Sequence, residues 1–63
     1  MTDIITTKDK LACAERELKL RLFVYDKWVD QKKMSAGKAA HEIAAMRAIV
    51  DDYKKAAEKE NLL

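Results

Sequence analysis

The sequence predicts an all-α protein, an antiparallel two-helix hairpin with coiled-coil-like packing, and three observations carry that prediction. The 63 residues include no proline and one glycine, and they are rich in Ala, Leu, Lys, Arg and Glu, the residues that least resist the helical backbone. Two stripes of apolar residues recur at helical spacing. Between the stripes lies KKMSAGK, a run that closes one helix and opens another.

The first helix is expected over about residues 7–32. Thr6 is a good N-cap, and Asp9, three residues on, can return the hydrogen bond and place negative charge at the positive end of the helix. Leu11, Ala14, Leu18, Leu22, Tyr25 and Val29 then recur at spacings of three and four, which puts them on one face. Glu15 with Lys19 and Glu17 with Arg21 are i,i+4 pairs in the favourable order and mark the solvated side.

The second helix is expected over about residues 36–60, after a turn at about 33–35. Its stripe is Ala39, Ile43, Met46, Val50, Tyr53 and Ala57, with Arg47, Asp51, Lys54, Lys55 and Glu58 mostly away from it. Ser35 supplies the N-cap, Met34 a staple partner for Ala39, and Gly37 falls in the first turn. Residues 1–5 and 61–63 are expected to fray.

One competitor survives this reading. Advanced by sevens, the first stripe runs Leu11, Leu18, Tyr25, Lys32, Ala39, Met46, Tyr53, so a single continuous coiled-coil helix about 80 Å long keeps the same phase. Lys32 on the seam, Lys33 beside it and the cap at Ser35 favour the hairpin.

A hairpin buries one stripe per helix, and the intra-hairpin core is expected to be Leu11, Leu18, Leu22, Tyr25, Val29, Ala39, Ile43, Met46, Val50 and Tyr53. The first helix carries more apolar surface than that core can cover. Leu20, Val24 and Trp28 follow one another at i, i+4, i+8, with Phe23 nearby. A chain this short buries only about 60% of the surface that its unfolded form exposes. A homodimer is therefore expected, two hairpins forming a four-helix bundle through Leu20, Val24, Trp28 and Ile49.

Composition excludes several function classes. Thirteen basic and eleven acidic side chains leave a net charge of +2, far from the balance of a dedicated nucleic-acid binder. The lone Cys13 can form no internal disulfide and suits a reducing compartment. No apolar run approaches the ~20 residues that cross a bilayer, and the N-terminus has no signal-like pattern. The expectation is a cytoplasmic protein with no membrane contact.

No motif here supports catalysis, a cofactor or a metal. A phosphate-binding loop needs G-x-x-x-x-G-K-[ST] after a strand, whereas Gly37-Lys38 is followed by Ala39 and Lys32 stands at the first glycine position. His41-Glu42 lacks the second histidine of H-E-x-x-H, since Ala45 occupies that place. No second group converges on His41 or Glu42 by helical spacing, so an acid–base pair is not indicated and the chain is expected not to be an enzyme. Lys27, Lys32, Lys33 and Lys38 gather near the turn and make possible nucleic-acid contacts. Lys32 and Lys33 suit a helix C-terminus, but Lys38 lies at the positive end of the second helix, where a cation is mildly unfavourable.

The stretch from Val24 to Tyr53 resembles small uncharacterised proteins encoded by bacteriophages and prophages. Their central region reads V-Y-x-[RK]-W-V, a linker, then M-[ST]-x-x-x-A-x-x-E-[IL]-x-x-M-x-A-I-x-x-D-Y. Val24, Tyr25, Lys27, Trp28 and Val29 fit the first block; Met34, Ser35, Ala39, Glu42, Ile43, Met46, Ala48, Ile49, Asp52 and Tyr53 fit the second. Asp26 stands where those relatives often carry proline, which implies a straighter end to the first helix. The resemblance covers about half of the chain and implies provenance, a phage or prophage product in the bacterial host cytoplasm, without a catalytic residue. The expected function is that of a non-enzymatic accessory protein acting through protein–protein interaction with an unidentified phage or host protein. The alternative is a helical-hairpin nucleic-acid-binding regulator that uses the basic turn.

Overall fold

The computed structural model describes residues 4–61 as two antiparallel helices, α1 (Thr7–Asp30) and α2 (Ala36–Asn61), in a slab of 47 × 28 × 13 Å. The continuous rod is thereby set aside. Residues 1–3 and 62–63, part of the segments expected to fray, lie outside the described residues. Ile4 and Ile5 precede α1 without regular structure, and Asn61 is the last residue of α2.

α1 begins as its sequence dictates. The Asp9 N–H donates to Thr6 Oγ1 at 3.1 Å and the Thr6 N–H donates to Asp9 Oδ2 at 3.0 Å, a closed capping box. These bonds, the one from the Thr6 backbone foremost, hold the Asp9 carboxyl below its ordinary pKa.

The other end departs from expectation. α1 stops at Asp30, two residues short of the expected boundary, and Gln31 is the C-cap. Lys32 has φ 59°, the left-handed conformation that normally recruits glycine. The Lys32 N–H donates to the Val29 carbonyl at 3.0 Å and the Lys33 N–H to the Trp28 carbonyl at 2.8 Å. That is the Schellman pattern, which satisfies the last carbonyls of a helix while reversing the chain. Lys32 is thus the breaking residue itself and not the last helical one. α2 opens on Ser35, whose Oγ accepts from the Lys38 N–H at 3.1 Å and whose carbonyl accepts from the Ala39 N–H at 3.0 Å.

The core is narrow. Ala14, Met46 and Val50 form its buried centre, with Leu11, Leu18 and Tyr53 against it, and Ala39 and Ala57 are buried on α2. Tyr25, Val29 and Ile43 are half-buried. Leu22, expected in the core, is 40% exposed. It lines a groove whose α2 side includes Ala36, Ala39 and Ala40, side chains too short to cover it. No side chain among the described residues is fully enclosed, as follows when each helix buries one stripe against a single partner.

Polar ties set the register. Arg21 donates from Nε to Glu17 Oε1 at 3.0 Å and from Nη1 to the Glu42 carbonyl at 3.1 Å, with the Glu42 carboxylate 3.9 Å away. One side chain therefore clamps α1 to α2. At the open end the Thr7 hydroxyl donates to Glu60 Oε1. Lys55 pairs with Asp51 at 3.0 Å, whereas the expected Glu15–Lys19 pair does not close among the described residues.

A candidate interaction surface on the first helix

Helical spacing turns Leu20, Val24 and Trp28 out of the intramolecular seam, and no α2 side chain covers them fully. Leu20 is 55% exposed, Phe23 63%, Trp28 39% and, on α2, Ile49 43%; Val24 is half-buried. A large side chain presents on the order of 150–250 Å², so together these four leave roughly 400 Å² of apolar surface in water. The Trp28 ring stacks on Tyr25 with centroids 5.6 Å apart and planes at 24°. That contact fixes the indole against the hairpin and leaves its outer edge free. Glu17, Leu20, Arg21, Val24, Tyr25 and Trp28 border a shallow groove of about 320 Å³.

The surface is not uniformly apolar. Lys27 places its Nζ 4.2 Å from the centroid of the Phe23 ring, a cation held over an aromatic face. Arg21 lies 6.0 Å from the Tyr25 centroid. With Glu17 and Glu42 it forms a charged cluster on the flank where α1 meets α2, and the Arg21–Glu17 bond favours the charged guanidinium.

Lys27, Lys32, Lys33 and Lys38 are all exposed. Residues 27–38 hold these four lysines against Asp30 alone, a net +3 in a chain whose total is +2, so the basic excess sits at the turn. Gly37 belongs to α2 and has no positive φ; nothing lies within 4 Å of the place a Cβ would take. Its backbone is ordinary helix and does not curl around a phosphate. His41 and Cys13 are exposed, and no group of three or more His, Cys, Asp or Glu side chains gathers among the described residues.

Sequence reasoning passed over one exposed feature. Ile4 and Ile5 stand in water just before the Thr6 cap, and Ile5 borders a second groove with Cys13, Met46 and Tyr53. The adjacent pair of isoleucines ahead of a capping threonine was the available signal. No helix among the described residues is long and apolar enough to cross a membrane. Comparison with models of protein families, with curated proteins and with solved structures finds no match to this chain.

Proposed function

We propose that this chain is a non-enzymatic interaction protein that works as a homodimer, an accessory product of a phage or prophage acting in the bacterial cytoplasm on another phage or host protein. The observation that carries the reading is the exposed apolar set on α1, Leu20, Phe23 and Trp28, on a hairpin that fully encloses no side chain among the described residues. These three leave roughly 350 Å² of apolar surface, within the range of the largest patches on monomers, which are often functional, and a rim of polar contacts brings it toward the ~800 Å² per partner of a stable complex. Light scattering at micromolar concentration tests this. A dimer mass for the wild type and a monomer mass for Leu20→Asp, with helicity retained, is the expected result, and a wild-type monomer refutes self-association.

The charge distribution favours a second reading, contact with nucleic acid through Lys27, Lys32, Lys33 and Lys38. Its support is the concentration of the basic excess at one end of the molecule. A gel shift with short RNA and DNA duplexes at ~50 mM salt decides it, since phosphate contacts are strongest at low salt; no shift there refutes it.

A further inference from the structure

α1 carries a second heptad seam on its outer side: Cys13, Glu17, Leu20, Val24, Lys27 and Gln31, at alternating spacings of four and three. Four of these six residues are exposed, and only Glu17 and Val24 are half-buried. We propose that the second copy in the dimer packs antiparallel along this seam, helix α1 against the partner's α1, with the two-fold axis level with Leu22. This inference rests on the reading that the chain self-associates, and adds the face and the direction.

Charge complementarity chooses the direction. In an antiparallel pair the two kinds of seam position face each other, so Leu20 meets the partner's Val24 and Glu17 meets the partner's Lys27, each contact occurring twice. An apolar centre is thereby bounded at both ends by an ion pair. A parallel pair places each seam residue on its own copy, stacking Glu17 on the partner's Glu17 and Lys27 on the partner's Lys27. It also sets the two turns, each net +3 over residues 27–38, at one end of the assembly. With the axis level with Leu22, the antiparallel dimer sets the two turns about 30 Å apart at ~1.5 Å per residue, several times the ~8 Å screening length at physiological salt.

The same geometry chooses the face. A partner seated on the flank between Val24 and Ile49 has to cover the cluster of Arg21, Glu17 and Glu42. Three charges would then leave water with one carboxylate in excess, a desolvation that such an interface rarely recovers. Of these three the outer seam takes in Glu17 alone, where the partner's Lys27 faces it; Arg21 stays at the edge of the contact, opposite the partner's Phe23, and Glu42 outside it. The seam also covers the two most exposed large apolar side chains within the helices, Phe23 and Leu20, with Lys27 already poised over Phe23. Ile49 stays outside this interface.

Charge reversal tests the register, read by sedimentation equilibrium, with circular dichroism to verify folding. Glu17→Lys and Lys27→Glu are each expected to raise the dimer dissociation constant about tenfold, because each places like charges at two symmetric contacts. Mixing the two variants, or combining both changes in one chain, restores wild-type affinity, since opposite charges again face each other. Glu17 and Lys27 are too far apart along one helix to rescue each other within a protomer. Ile49→Lys is expected to leave the dimer intact. If the wild type is a dimer and the mixture shows no rescue, or Ile49→Lys dissociates it, this seam is overturned while self-association stands. A monomeric wild type removes both readings.

Discussion

Replacing Lys32 by glycine should stabilise the protein, and the sign of the effect discriminates between structures. Lys32 has φ 59°, a conformation that costs an L-residue with a Cβ about 1–2 kcal/mol. Glycine removes that cost but gives the unfolded chain more freedom, which returns about 0.5–1 kcal/mol. The net gain is about 0.5–1 kcal/mol, worth several degrees in Tm for a domain of this size. Lys32→Ala is the control: it removes the charge and the exposed side chain but keeps the Cβ, so its stability should match the wild type. The assay is urea and thermal unfolding followed by circular dichroism at one fixed protomer concentration. Glycine no better than alanine refutes the left-handed turn. Were residue 32 inside a continuous helix, glycine would instead destabilise by about 1 kcal/mol relative to alanine.

The other cap positions and Trp28 give three further expectations. Lys38 occupies the place in α2 that Asp9 holds in α1, so Lys38→Glu should complete a capping box with Ser35 and gain about 0.5–1 kcal/mol; an equal loss on urea denaturation would refute this view of the turn. The Asp9 carboxyl, held below its ordinary value of 3.8 chiefly by the Thr6 backbone, stabilises the fold above that pH and stops doing so as pH falls through its folded value. Stability against pH for wild type and Asp9→Asn should therefore converge below about pH 4; parallel curves would show that the box contributes nothing. Trp28→Asp removes the stack on Tyr25 that fixes the indole against the hairpin and should dissociate the proposed dimer or unfold the chain; unchanged mass and helicity would refute the role given to that indole.

What the sequence disclosed was local. Thr6 with Asp9, and Ser35 with the Lys38 N–H, act within four residues, so their geometry follows from residue type alone. The end of α1 was harder to see, because a Schellman turn usually advertises itself by glycine and here a lysine adopts the left-handed backbone. Without that signal, residue type extends the helix through Lys32, whose positive φ only the backbone reveals. Leu22 lay in the correct stripe, yet its exposure depends on how short the opposing alanines of α2 are, a property of the pairing and not of α1. The Arg21 clamp on Glu42 depends likewise on the rotation of both helices about their axes. The outer seam is half legible: Leu20 and Val24 stand out as apolar surplus, whereas Glu17 reads as a charge of the solvated side and Lys27 as a possible nucleic-acid contact, although both share the seam's spacing.

A slab only 13 Å through its thinnest dimension has no interior in the usual sense, since every core side chain is also part of a wall. In the proposed dimer, where association covers part of that wall, the native fraction becomes a function of protomer concentration, so the midpoint of unfolding should rise as the protein is concentrated.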